Sequence, residues 1–523
     1  MLPSRHRRTY GNALTLLVVI GGLAPLAGSA AAQDPETANG AVPVERVELP
    51  LESQVVSQHT ATINGQSVPY EATAGTLPVY DTNGEPMASL FYVYYERSDV
   101  QDRTDRPLSI SFNGGPGSSS VWMHLGYTGP RRVIVDSEGH PVRPYGFRDN
   151  PESILDVTDI VYVDPVNVGF SRPVEGQDRS RFFGVNQDIE YLGRWIELFV
   201  TRHSRWASPK FLIGESYGTT RVSGLAHELQ NSQKMFMNGI VLVSPTGLGI
   251  DRAGPVREAL YLPHYAATAW YHGQLEPELQ GQDLEAFLPE VERFTLEEYL
   301  PALTRGGFLD DGERTAVAGR IARFAGVSED FVLNNNLTIP ISHWRKELLR
   351  DQRLTVGRLD ARYQGVDADA AGVQYDYDPA MAAWNHSFTP AINIYLRGVL
   401  GYQTDLTYYT IGGPVRPWDN SENTTGEDLR QAMAENPFLK TMIQAGYYDG
   451  GTDYFSAKYT MWQIDRSGQL RDRFRFHLYR SGHMMYLRDE DLRTSNQHIR
   501  DFIQWATPAD GTPALWGRGR PVS

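Results

Sequence analysis

Gly214-Glu215-Ser216-Tyr217-Gly218 stands directly after the apolar run Phe211-Leu212-Ile213 and before a segment of helical character, Thr219 to Leu229. A serine between two glycines at a strand-to-helix turn reads as a nucleophile elbow. The sharp turn lifts the Ser216 hydroxyl above the strand end, and small flanking residues keep the helix clear of the strand. A serine hydroxyl attacks only when a base takes its proton and an acid orients that base. Both are expected later in the chain, acid first and base second. Of 13 histidines, His483 lies in Arg480-Ser481-Gly482-His483-Met484-Met485, just past the last strand candidate. A loop at the carboxyl end of a strand is where an open α/β sheet places its chemistry. His477 falls inside that strand and reads as a core or sheet-face residue. Asp449 closes Ala445-Gly446-Tyr447-Tyr448-Asp449 after an earlier strand candidate, and it is preferred as the acid over Asp453, four residues on.

A second loop, Asn113-Gly114-Gly115-Pro116-Gly117-Ser118-Ser119, follows the strand candidate ending at Phe112. Consecutive glycines let backbone N–H groups face a developing negative charge. The N–H groups of Gly115 and Tyr217 are the expected oxyanion donors, by the rule for α/β-hydrolase elbows. A phosphate-binding turn is the competing reading. It is discounted because no Gly-Lys-Ser/Thr follows and no Gly-x-Gly-x-x-Gly is present.

These residues need a frame to converge. Short apolar runs recur at residues 108–112, 160–163, 211–213, 240–243, 441–443 and 474–478, each ending in a loop bearing Gly, Pro or Asp. Helical spacing appears between several of them, as from Asp188 to Phe199, and again at 498–505. Apolar runs alternating with helices predict a mostly parallel central sheet flanked by helices. Residues 45–97 carry two Asn-Gly turns, Asn64-Gly65 and Asn83-Gly84, and predict antiparallel strands at one edge. The interval 250–380 lacks short β-runs and is rich in Leu, Ala, Glu and Arg, with helical stretches at 284–294 and 314–324. It reads as a helical insertion, or cap. The expected core is then 45–249 joined to 381–523, an α/β-hydrolase fold.

Four segments together resemble the serine carboxypeptidase family of α/β-hydrolases, in a branch without cysteines. They are Asn113-Gly114-Gly115-Pro116-Gly117, Asp164-Pro165-Val166-Asn167-Val168-Gly169-Phe170-Ser171, Gly214-Glu215-Ser216-Tyr217-Gly218 and Gly482-His483-Met484, in matching order and spacing across about residues 80–505. The resemblance implies Ser216 as nucleophile, Asp449 as orienter and His483 as general base. It implies removal of single residues from peptide C-termini, with Asn113, the Gly114 N–H and a protonated Glu215 holding the substrate carboxylate. Burial and a like charge are what keep such a Glu protonated. Three positions depart from the family pattern. Ser111 stands where the family has Trp, Tyr127 where it has a second Glu, and Ser118 where it has a disulfide Cys. Arg131 or Arg132 could take over carboxylate binding, the alternative being that both are solvated surface charges. An esterase or acyltransferase on the same triad is the competing activity.

Composition narrows the classes further. The 523 residues include no cysteine, which excludes thiol nucleophiles, disulfides, iron–sulfur clusters and Cys-based zinc sites. A net charge of −15 argues against a nucleic-acid partner. Nothing in the motifs calls for a metal or organic cofactor. Arg5, Arg7 and Arg8, the apolar stretch Ala13 to Leu26 and Gly28-Ser29-Ala30-Ala31-Ala32 read as a signal peptide over 1–32, followed by a flexible lead-in over 33–44. A secreted or periplasmic bacterial enzyme acting on peptides is expected, with no membrane span after cleavage. Oligomeric state is not legible.

Overall fold

The computed structural model describes residues 48–516. The expected signal peptide and lead-in lie outside them. Nine strands form the main path of the sheet. They are β1 (Ser53–Ile63), β2 (Gln66–Tyr80), β3 (Pro86–Arg97), β4 (Leu108–Phe112), β5 (Asp159–Val163), β6 (Lys210–Glu215), β7 (Gly239–Val243), β8 (Lys440–Gly446) and β9 (Phe474–Tyr479). Their order across the sheet is β1-β2-β3-β5-β4-β6-β7-β8-β9, and a two-residue strand, Arg172–Pro173, pairs with β3 off this path.

The first three strands are antiparallel, and β3 meets β5 antiparallel; every later pair is parallel. Ile63 pairs with Gln66 across Asn64-Gly65, whose φ values of 48° and 76° are those of a two-residue hairpin turn. The second Asn-Gly is different. It sits in a longer loop, because a bulge after Val79 delays closure and the Asp81 Oδ1 accepts from the N–H groups of Asn83 and Glu85.

Burial explains why the central strands read as plain apolar runs. Every residue of β4, β5 and β7 is buried, since helices cover both faces. On one face α1 (Val185–Arg202) and α2 (Tyr217–Asn231) pack Leu192, Trp195, Ile196, Phe199, Val222 and Leu225 against Ile110, Phe112, Leu212 and Leu242. On the other, α3 (Asp489–Ala506) packs Leu492, Ile499 and Phe502 against Phe211, Ile213, Val241 and Met442. Each such aliphatic or Phe side chain contributes about 1.5–3 kcal/mol relative to exposure.

Helices fill the stretch from Pro255 to Glu347, followed by a two-residue ribbon pairing Thr355–Val356 with Gln364–Gly365. They enclose a third core containing Leu262, Phe287, Val291, Ile321 and Trp344, with Tyr265 stacked on Trp344 at 4.4 Å. This core also takes in Tyr447, Tyr448, Tyr454 and Phe455 from the segment after β8. The next helix, Pro379–Ile394, instead joins the sheet core through Trp384, Phe388 and Ile392. Among the described residues, no helix is long and apolar enough to cross a membrane.

Candidate active site

The elbow forms because β6 ends at Glu215 and α2 begins at Tyr217, leaving one residue to reverse direction. Ser216 takes φ 58°, ψ −125°, a conformation that L-residues avoid. Such strain persists only where the surroundings over-determine it. Here the Ser216 N–H is tied to the Val243 carbonyl at 2.9 Å, and the Ser216 carbonyl accepts from Thr219 N–H at 2.9 Å. The flanking glycines are steric necessities. A Cβ on Gly214 would come within 2.3 Å of the Gly218 carbonyl oxygen, and one on Gly114 within 2.4 Å of Tyr217 N. The second contact brings the two expected oxyanion loops together, with the Tyr217 N–H beside the Asn-Gly-Gly turn.

Asp449 follows β8 and is fully buried. Its Oδ1 accepts from the N–H groups of Gly451 and Thr452 at 2.8 and 3.1 Å, and its Oδ2 from the Thr452 hydroxyl at 2.8 Å. The same Oδ2 lies 2.7 Å from His483 Nδ1. Facing a carboxylate, that nitrogen is assigned as the donor, which leaves Nε2 free to accept. Burial opposes ionisation of both groups. Even so, the His483 charge and hydrogen bond hold Asp449 below its ordinary value, and Asp449 raises His483 above its own. Asp453, the competing acid, is instead the N-cap of the helix Tyr454–Ile464, accepting from Ser456 N–H at 2.8 Å. His477 is half-buried in β9 and stacks on His498.

Glu215 is 1% exposed, and its Oε2 accepts from Asn113 Nδ2 at 2.5 Å and from the Tyr486 hydroxyl at 2.7 Å. The orientation of the Asn113 amide is fixed, because its Oδ1 accepts from Met123 N–H at 2.9 Å. Arg221, ion-paired with Asp188 in the core, donates to the Asn113 carbonyl at 2.5 Å and holds the loop down. Burial pushes the Glu215 carboxyl up to about 7, against the lowering effect of the His483 charge and of the two donors. Two donors on one oxygen leave Oε1 as the place for a proton.

Asn113, Gly114, Gly115, Glu215, Ser216 and His483 line a single cavity of about 190 Å³. Asp449 and Tyr217 are not among the residues that line it, and Asp449 reaches it through His483. Trp122, Thr452, Arg358, Leu359 and Met381 complete much of the wall. Several of these were not legible in sequence. Tyr486 stands three residues after His483, but its contact with Glu215 spans 271 positions. Trp122 supplies an aromatic wall although Ser111, at the family Trp position, is a buried serine. Tyr127 turns its hydroxyl to Gln444 and stacks on Tyr486 at 4.6 Å. One expectation is corrected. Arg131 and Arg132 are neither carboxylate ligands in this cavity nor free surface charges. Arg131 pairs with Asp149, and the buried Arg132 pairs with Asp489 at 2.7 Å. Both lie in a two-stranded ribbon, Arg131–Val133 paired with Phe147–Asp149, and each has a carboxylate partner that sequence spacing does not reveal.

Comparison with known proteins points the same way. Residues 64–284 match the serine carboxypeptidase family model. Serine carboxypeptidase-like 31 of Arabidopsis thaliana is 30% identical over 166 residues, 30% of each chain. Serine carboxypeptidase-like 50 of the same plant is 27% identical over 203 residues, 38% of this chain and 42% of its own. The chain thus matches less than half the length of either relative. In fold, it is similar to Kex1ΔP, a prohormone-processing carboxypeptidase from Saccharomyces cerevisiae, with a TM-score of 0.50, 15% identity and coverage of 83% of this chain and 91% of that one. The matched segment holds Asn113, Glu215 and Ser216, while Asp449 and His483 lie beyond it. Residues 64–284 are thus similar to the serine carboxypeptidase family, and they form part of a mostly parallel sheet flanked by helices, the α/β-hydrolase fold.

Proposed function

We propose that this chain removes single residues from peptide C-termini through an acyl-enzyme on Ser216. The carrying observation is the 2.7 Å bond between Asp449 and His483 beside a cavity that Ser216, His483, Asn113 and Glu215 all line. In this reading His483 Nε2 takes the proton of Ser216 as its Oγ attacks the scissile carbonyl. The oxyanion sits between the N–H groups of Gly115 and Tyr217. His483 then returns the proton to the leaving amine, and water repeats the sequence on the acyl-enzyme. Asn113, the Gly114 N–H and protonated Glu215 hold the terminal carboxylate. Glu215 donates from Oε1, while Tyr486 and Asn113 fix Oε2. The chain is further read as exported, with the mature protein starting at Gln33; mass spectrometry of the protein from culture medium or periplasm tests this.

The decisive test is release of the C-terminal residue from an N-blocked dipeptide, compared with its amide and with Ser216→Ala. Rapid turnover of the free acid alone, abolished in the variant, is expected. Equal turnover of acid and amide overturns exopeptidase recognition. Cleavage of esters without any peptide trimming would assign the triad to esterase or acyltransferase chemistry.

A further inference from the structure

The insertion gives the cavity wall Arg358 and Leu359. Its segment 357–363 lies against both loops that carry the acid and the base. His483 N–H donates to the Leu359 carbonyl at 2.7 Å, Gly450 N–H to the Arg358 carbonyl at 3.0 Å, and Ala361 N–H to the Tyr448 carbonyl at 2.9 Å. From the other side, the Asp378 carboxylate accepts from the N–H groups of Arg358 and Leu359 at 3.0 and 3.2 Å. The backbone of Arg358 is therefore held from two directions, and its side chain forms part of the cavity wall with Ser216 and His483.

Arg358 differs in its pairing from other cations nearby. Arg362 is paired with Asp360 at 2.7 Å, and Arg131 and Arg132 have their own carboxylates. Among the described residues, the Arg358 guanidinium has no ion-pair partner. Its Nη1 would lie 3.5 Å from a Cβ on Gly451, which places it over the loop just after Asp449. Behind it Arg345, 2% exposed, spends its charge on neutral groups, donating to the Gly450 carbonyl at 2.8 Å and to the Tyr375 hydroxyl at 3.2 Å. Arg358 thus lines the cavity, with the Arg345 guanidinium outside the lining, against the Gly450 carbonyl. A positive wall inside a concave site attracts an anion, and a guanidinium fork matches a carboxylate.

We infer that Arg358 is a specificity-determining residue, binding an acidic side chain on a peptide residue flanking the scissile bond. This rests on the carboxypeptidase reading above, in which Asn113, Gly114 and Glu215 already hold the terminal carboxylate. The anion left for Arg358 is then a Glu or Asp side chain of the substrate.

The test uses the full-length enzyme and N-blocked dipeptides that differ only as Glu against Gln, placed either before or after the scissile bond. Arg358 is exposed, so at one of these positions the wild type is expected to favour Glu by about two- to fivefold in kcat/KM, the range of an ion pair to an exposed guanidinium. Arg358→Ala should bring that ratio close to unity, and Arg358→Glu should turn the preference towards Lys. A Glu/Gln ratio near one at both positions, or one that Arg358→Ala leaves unchanged, overturns the inference. So does a loss confined to the acid-over-amide preference, which would make Arg358 a ligand of the terminal carboxylate instead. If the wild type releases no residue from any peptide, the carboxypeptidase reading fails by itself. Calorimetric binding of the same Glu and Gln peptides to Ser216→Ala, with and without Arg358→Ala, then decides the assignment: a Glu preference that Arg358→Ala removes supports it, and equal affinities refute it.

Discussion

The two halves of the site are built in different ways. The half with the proposed nucleophile, Asn113 to Gly115 with Glu215 to Tyr217, sits on the ends of β4 and β6, adjacent strands in the middle of the sheet. Its geometry comes from close backbone packing that only glycine allows, and from a buried Arg221 tying one loop down. The half with the proposed acid and base, Asp449 and His483, follows β8 and the edge strand β9, and its backbone is braced by a segment of the insertion. The first half joins two local glycine-bearing patterns by close contacts between their loops. The second depends on a contact between Leu359 and His483 that no local pattern encodes.

This contrast can be broken from either side. The largest effect is expected from the reacting groups themselves. His483→Ala should lower kcat by about 10⁴-fold or more, and Asp449→Asn by about 10⁴-fold, with fold and melting temperature retained. If Asp449→Asn cost less than tenfold, a different acid would have to orient His483. Next comes the brace. Asp378→Ala releases the N–H groups of Arg358 and Leu359 and should lower kcat about tenfold through misplacement of His483, without raising KM for neutral substrates in proportion. An unchanged kcat would show that the edge half needs no support from the insertion.

Tyr486→Phe acts on the nucleophile half alone. Its hydroxyl donates to the Glu215 carboxylate and so favours the ionised form. Without it Glu215 keeps its proton to higher pH, and turnover of free acids should persist further into the alkaline range. A shift in the opposite direction would contradict the placement of the proton on Oε1. The smallest effect is expected at Arg131→Ala. It removes a surface ion pair with Asp149 and should leave the acid-to-amide ratio unchanged within error, with about 0–1 kcal/mol of stability lost.

Legibility in the sequence followed the same division. The strands 108–112, 160–163, 211–213 and 240–243 were readable because full burial makes them short apolar runs between breakers. The elbow was readable because glycine sterics force a local pattern. Asn113 and Glu215 came from the family resemblance, not from spacing. Tyr486 was not legible, since its contact with Glu215 spans 271 positions, and Thr452 and Trp122 stand in no pattern that marks them. Arg131 and Arg132 were misread for the same reason: Asp489, which neutralises Arg132, is 357 residues away.

The central claim is that a protonated Glu215 holds the terminal carboxylate of the substrate while His483 acts as base. The direct measurement is kcat/KM against pH for one N-blocked dipeptide as free acid and as amide, repeated with Glu215→Gln. Both substrates should gain activity as pH rises through the raised value of His483, because the base must be neutral. Only the free acid should then lose activity above about pH 7, as Glu215 ionises and repels the substrate carboxylate. In Glu215→Gln that alkaline fall should vanish, because the amide donates at every pH. Superimposable profiles for acid and amide, or an alkaline fall that survives in Glu215→Gln, would contradict the account.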